Sequence, residues 1–188
     1  MDKIGIALIG CGYWGSKLQR YIQDSSAFDL KYVCNSKSNL EVWKDKDVSA
    51  VIVATPNETH YEITRQALLH RKSVMCEKPL ALTEAECLEL KMLTARNLSN
   101  SNRDLELCVE YTHTFSKALQ RAKELIDSGM IGKVLGIEMA TKHLGRFGGG
   151  SVYWLLGSRM LAVLDMFVPL NTLGFWADDL VVYDGKLS

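Results

Sequence analysis

One stretch near the amino terminus narrows the folds open to this chain more than any other. Residues 3–15 read Lys-Ile-Gly-Ile-Ala-Leu-Ile-Gly-Cys-Gly-Tyr-Trp-Gly, an apolar run that stops at three glycines spaced G-x-G-x-x-G. The run lacks the polar alternation of a half-solvated strand and is short for a helix, which predicts a strand covered on both faces in a parallel sheet. Gly10 suits a tight turn, Gly12 lets the backbone approach a pyrophosphate, and Gly15 lets the following helix, over 16–23, pack closely on the sheet. Tyr13 and Trp14 stand inside the same turn and join the candidate cofactor contacts. The first-turn amides of the helix, with their partial positive charge, would face the anion. Glycines at this spacing also mark bare turns; the placement between a strand and a helix is what points to a nucleotide.

The next stretch, Phe-Asp-Leu-Lys-Tyr-Val-Cys at 28–34, reads as a second strand ending at Asn35. In such folds an acidic side chain at this point accepts hydrogen bonds from the ribose of NAD, whereas a neutral residue followed by a basic one accommodates the 2'-phosphate of NADP. Asn35, Ser36 and Lys37 carry no carboxylate, so the expected cofactor is NADP or NAD, with a lean toward NADP. Only residues 36–47 separate this strand from the one predicted at 48–54, too few for a helix, a further strand and two turns. A short helix or loop is expected there, with one edge strand missing from the sheet.

Thr55 and Pro56 end the third strand, because proline cannot continue a central ladder. Asn57 is placed to cap a helix over 58–70, in which Ile63, Ala67 and Leu68 recur at helical spacing. A short strand at 73–76 leads into Glu77-Lys78-Pro79, and Thr83 with Glu86 forms a capping-box pattern that starts a helix to about residue 96. Residues 97–104 are loop-like and 105–111 read as the last strand. Strands alternating with helices make residues 1–112 an α/β domain with a doubly wound parallel sheet of the Rossmann type.

Residues 113–188 read as a smaller, incomplete α+β domain. An amphipathic helix over 115–128 stops at Gly129, and a strand over 134–142, a glycine loop at 148–150, an apolar helix over 152–167 and a strand at 180–183 follow. A sheet begun and not completed leaves unpaired edges, which predicts a homo-oligomer.

Charge and composition exclude several classes. The 22 basic and 22 acidic residues are mixed along the chain, so neither nucleic acid nor an anionic membrane surface is an expected partner. No apolar run approaches the roughly 20 residues of a membrane span. The opening Met1-Asp2-Lys3 leaves no room for a signal peptide, which makes the expected location cytoplasmic. Cys11, Cys34, Cys76, Cys87 and Cys108 lack metal-ligand pairing; they are expected as reduced core thiols, with no metal site.

Taken in order, residues 10–15, Ala54-Thr55-Pro56, Glu77-Lys78-Pro79, and Leu125-Ile126-Asp127-Ser128-Gly129 with Gly132-Lys133 resemble the Gfo/Idh/MocA family of oxidoreductases. The likeness continues to about residue 167 and is greatest to members acting on sugars or sugar nucleotides. It implies NAD(P)-dependent oxidation or reduction of a sugar, cyclitol or sugar-nucleotide alcohol. It also implies that Lys78 is the catalytic lysine beside nicotinamide and substrate, that Pro79 forms the turn, often after a cis peptide, and that Glu77 lies near the nicotinamide ribose. Thr55 and Pro56 would line the cofactor groove, with Asn57 and His60 nearby. A lysine there has a chemical rationale of its own, since an ammonium can polarise the carbonyl that receives hydride or hold the hydroxyl that loses it. In a bare turn the same lysine is a solvated charge.

Two departures from the family pattern are as informative. Relatives usually place a histidine, with an aspartate a few residues before it, at the start of the helix that here contains 154–160; Arg159 stands at the histidine position and Leu155 at the aspartate position. Arginine accepts no proton near neutral pH. Arg159 is therefore expected as a substrate-binding cation that repels the Lys78 ammonium and favours an anionic ligand, with His113 and His143 as candidate replacements for the histidine. The second departure is length, because the second domain of those enzymes is substantially larger. Three readings stay open: a sugar oxidoreductase, a catalytically degenerate nucleotide-binding relative, and a fragment of a longer enzyme.

Overall fold

Ile4–Ile9 forms β1, every residue of which is buried after Ile4. Successive side chains of a strand point to opposite faces. Ile6 and Leu8 pack with Ile22 and Ile52 on one face, while Ala7 and Ile9 pack with Val51, Val53 and Ile63 on the other. An apolar run without alternation is what two buried faces require. Fully burying an aliphatic side chain of this size contributes roughly 1.5–3 kcal/mol, so β1 anchors both layers.

The computed structural model describes residues 3–35, 40–98, 105–141 and 153–170. Four more strands, β2 (Phe28–Cys34), β3 (Ala50–Val53), β4 (Ser73–Glu77) and β5 (Leu107–Glu110), join β1 in a parallel sheet of order β2-β1-β3-β4-β5. The helices α1 (Gly15–Asp24), α2 (Leu40–Lys44), α3 (Asn57–Leu69) and α4 (Glu84–Leu98) alternate with the strands. Ile22 of α1 belongs to one core layer, and Val42 of α2, Leu68 of α3 and Leu90 of α4 belong to the other, which is the doubly wound arrangement the sequence predicts.

The short connection after β2 holds α2 and, among the described residues, no strand, so β2 stays at the edge. A buried lysine closes this connection. The Lys72 ammonium donates to the Asp45 carbonyl and, at 2.7 Å, to the Val48 carbonyl, satisfying backbone acceptors of the connection that leads into β3. The Asp45 carboxylate accepts from the Asp47 amide at 2.8 Å and the Tyr32 hydroxyl at 2.9 Å.

The chain divides at Thr112 into two compact units, Met1–Thr112 and His113–Ser188. A 3-10 turn at Thr112–Phe115 precedes α5 (Lys117–Asp127), and in the second unit a single π-helical turn at Tyr153–Gly157 leads into α6 (Ser158–Phe167). The end of α5 follows the glycine signal: Gly129 has a φ of 72°, and the amides of Gly129 and Met130 bond back to the carbonyls of Ile126 and Leu125.

Three expectations need correction. Residues 134–141 form no strand, because a strand exists only as a ladder and no described residue pairs with them; Leu135 is 94% exposed. The strand expected at 180–183, the glycine loop and His143 lie outside the described residues, as do Ser36 and Lys37. Asn57 does not cap α3: Pro56 holds the cap position, Asn57 is the first helical residue, and no side chain caps. Lastly, Cys11 and Cys108 are exposed rather than core thiols, whereas Cys76 is buried and its thiol is pushed up to about 12 by that burial. No helix among the described residues is long and apolar enough to cross a membrane.

The Asp47 amide, followed by the Tyr32 hydroxyl, holds the Asp45 carboxyl below its ordinary value. A carboxyl depressed by folding contributes stability above its unfolded pKa, about 3.9, and loses that contribution as pH falls through the lower folded value. Urea midpoints of the parent and Asp45→Asn should therefore differ at neutral pH and converge in acid; a constant gap would mean the carboxylate charge plays no part.

Candidate dinucleotide-binding site

Parallel pairing brings strand ends that are far apart in sequence to one edge. Ile9 is in register with Cys34 of β2 and Val53 of β3, and Val53 with Cys76 of β4. Gly10, Asn35, Ala54 and Glu77 therefore all stand one residue beyond the aligned carboxyl ends. Between β1 and β3 the connections leave in opposite directions, α1 to one face and α3 to the other, and this switch point is where open α/β sheets bind ligands.

The turn after β1 is built from its glycines. Gly10 has a φ of 97°, and a Cβ there would collide with the Ala54 carbonyl; a Cβ on Gly15 would collide with the Gly10 carbonyl. Gly12 differs, since a Cβ there would meet nothing within 4 Å. Two glycines are thus demanded by packing, and the third leaves bare backbone facing open space, as an approaching pyrophosphate needs. α1 begins immediately after, with no acidic residue in its first turn to compete with an anion. The site fits a dinucleotide phosphate on these grounds.

Tyr13 and Trp14 are each 44% exposed and meet edge to face, with ring centroids 5.5 Å apart. Lys17 was not legible as a site residue. Its ammonium lies 4.2 Å from the Tyr13 ring centroid and 4.4 Å from that of Trp14, and donates to the Tyr13 hydroxyl at 3.0 Å. The signal was available in helical spacing, which puts residue 17 over residues 13 and 14.

Beyond β3, the Thr59 hydroxyl lies 2.7 Å from both the Thr55 hydroxyl and the Pro56 carbonyl, fixing the turn that enters α3. Glu77 ends β4, and the peptide between Lys78 and Pro79 is cis. The next turn is tied down by the predicted capping box: the Glu86 carboxylate accepts from the amides of Leu82 and Thr83, each at 3.1 Å, and the Thr83 hydroxyl accepts from the Glu86 amide at 3.3 Å. His60 is 1% exposed, with Nδ1 2.6 Å from the Pro79 carbonyl and Nε2 2.8 Å from the Thr55 carbonyl. It stands behind the edge and offers no surface to a cofactor.

Arg159 belongs to the second unit, in the first turn of α6. There it lines a cavity of about 290 Å³ together with His113, Thr141, Leu156, Met160 and Val163. His113, named from the sequence as a replacement for the missing histidine, and Arg159 thus share one cavity. Among the described residues no group of His, Cys, Asp and Glu side chains could hold a metal ion.

Residues 27–100 match the model of an oxidoreductase family described as an NAD-binding Rossmann fold, GFO_IDH_MocA. The chain carries the dinucleotide domain of the Gfo/Idh/MocA family. It is 33% identical over 150 residues to an uncharacterized oxidoreductase of Streptococcus pneumoniae, covering 72% of this chain and 39% of that protein. It is 31% identical over 150 residues to the 2,7-anhydro-N-acetylneuraminate hydratase of Mediterraneibacter gnavus, covering 72% of this chain and 38% of that one. Among solved structures, scyllo-inositol dehydrogenase from Lactobacillus casei with bound NAD(H) and scyllo-inositol superposes with a TM-score of 0.73 at 18% identity, covering 88% of this chain and 56% of that one. The chain therefore spans about 39% of the length of the first of these Gfo/Idh/MocA relatives.

The glycines give a test that separates binding from folding. Gly12→Asp should leave thermal stability close to the parent while abolishing NADH binding, because the new side chain fills open space and places a negative charge at the phosphate position. Gly15→Ala should destabilise by collision with the Gly10 carbonyl. Retained NADH affinity in a folded Gly12→Asp, measured by fluorescence titration, would move the phosphate site elsewhere.

Proposed function

We propose that this chain binds NADP or NAD at the β1–β3 switch point and contributes to an NAD(P)-dependent oxidoreductase acting on the alcohol or carbonyl of a sugar-like molecule. The observation that carries the proposal is the register of the sheet, which places the Gly10–Gly15 turn and the Glu77-Lys78-Pro79 turn at the same edge. When bound, the nicotinamide supplies or accepts hydride. The chain's own parts divide the remaining work. Gly10, Gly12, Tyr13, Trp14 and Gly15 hold the diphosphate with the first turn of α1, and Asn35, Ser36 and Lys37 meet the adenine-side ribose. Thr55, Pro56, Asn57 and Glu77 line the nicotinamide side. Lys78 holds the reacting oxygen through its ammonium and stabilises the charge that develops there.

The second unit supports a substrate class. Arg159 brings a permanent cation and His113 an imidazole to a cavity otherwise lined mainly by apolar side chains, a chemistry suited to a sugar bearing an acid group. The similar protein of Mediterraneibacter gnavus is a 2,7-anhydro-N-acetylneuraminate hydratase, which agrees with that cavity. Arginine as the family histidine's replacement favours a second reading: a nucleotide-binding relative that does not turn over alone.

A panel of polyols, sugar nucleotides and sugar acids with NADH and NADPH distinguishes these readings. Lys78→Ala should lower turnover by about 10² to 10⁴ while leaving dinucleotide affinity within a few-fold, and Arg159→His should weaken acidic sugars selectively. NADPH should bind about tenfold more tightly than NADH if Lys37 makes a charge-assisted bond to the 2'-phosphate; tighter NADH binding overturns that role. Parent turnover unaffected by Lys78→Ala would place the chemistry elsewhere.

The expected self-association now rests on exposed side chains and not on a strand edge. Met130, Ile131 and Leu135 are 71%, 62% and 94% exposed. A second copy covering them predicts a dimer or larger species by light scattering at micromolar concentration, and a monomer contradicts it.

A further inference from the structure

The β3–β4 ladder is registered as far as Val53 and Cys76, and beyond that point two prolines interrupt it. Pro56 and Pro79 have no amide hydrogen, so neither turn has its full set of backbone donors. The Thr55 and Pro79 carbonyls are instead met by a side chain. His60, in the first turn of α3, places Nε2 2.8 Å from Thr55 O and Nδ1 2.6 Å from Pro79 O, with the ring 1% exposed. An imidazole donates to both carbonyls only with both ring nitrogens protonated; with one proton it donates to one oxygen and packs against the other, and in either state the ring stands between the two turns.

We propose that His60 is a positioning residue: its imidazole couples the Thr55-Pro56 turn, which lines the cofactor groove, to the Lys78-Pro79 turn, which carries the lysine. The assignment rests on the function proposed for Lys78, but the strut itself is a property of the free protein. Residue 60 lies 19 positions from Pro79, so the coupling runs through space and not along the chain. A buried imidazole with both nitrogens on main-chain oxygens has no atom left for substrate, which separates this role from that of a cofactor contact.

The test uses His60→Leu, which approximates the volume without donors, His60→Gln, whose amide nitrogen reaches toward the Thr55 carbonyl, and His60→Asn, whose amide nitrogen reaches toward that of Pro79. Hydrogen exchange is followed by mass spectrometry in residues 54–60, 77–82 and 4–9, without and with saturating NADH. In free His60→Leu, exchange should rise about tenfold or more in both turns while β1 keeps the parental rate. NADH should protect residues 77–82 in the parent and fail to do so in His60→Leu, although it still protects residues 54–60. His60→Gln should restore slow exchange chiefly at 54–60 and His60→Asn chiefly at 77–82, and this pair carries the test if His60→Leu does not fold. Parental exchange at 77–82 in the free variants, or equal NADH protection there in parent and His60→Leu, overturns the proposal. A parent that binds no NADH refutes the dinucleotide reading, and the exchange of the free proteins still decides the strut.

Discussion

The register of the parallel ladder around β1 is the constraint on which the rest depends. β1 pairs with β2 on one side and β3 on the other, and it is buried on both faces. Slipping a strand by one residue would exchange its two faces. That would move Leu8 and Ile9 between differently shaped layers and displace Gly10 from Ala54, against which it packs too closely for any side chain. Core packing and site geometry are therefore set by the same hydrogen bonds. The glycine turn is positioned by the same register that buries β1 on both faces.

Where the ladder stops, side chains take over its work. The turns at Pro56 and Pro79 each lack one amide donor; His60 and Thr59 make side-chain contacts to the backbone there, and the Glu86 carboxylate accepts from amides of the turn that follows. The amino-terminal edge uses the same device at Lys72, whose ammonium satisfies carbonyls in the abbreviated connection between β2 and β3. At each end one of these polar groups is buried, His60 at the carboxyl edge and Lys72 at the amino edge.

The two units differ in how far their own residues can complete them. The first has two core layers with nearly every central strand residue covered. The second, among its described residues, has two helices, an irregular stretch with Met130, Ile131 and Leu135 exposed, and a cavity containing Arg159 and His113.

What the sequence determined by itself was whatever depends on near neighbours: the strand and glycine turn at 4–15, the capping box of Thr83 and Glu86, the end of α5 at Gly129, and a connection after β2 too short for another strand. These follow from spacing, since the interacting groups lie within a few residues of one another. Asn57 failed as a cap because the helix began one residue earlier, a boundary set by Pro56 and Thr59 together. Residues 134–141 failed as a strand because a strand is defined by a partner, which composition cannot supply. Only tertiary structure decided that His60 spans two turns, that Lys72 is buried on carbonyls, and that His113 and Arg159 share a cavity. Each of these joins residues 19 or more positions apart in sequence, and it is the folded sheet and helices that make such residues neighbours.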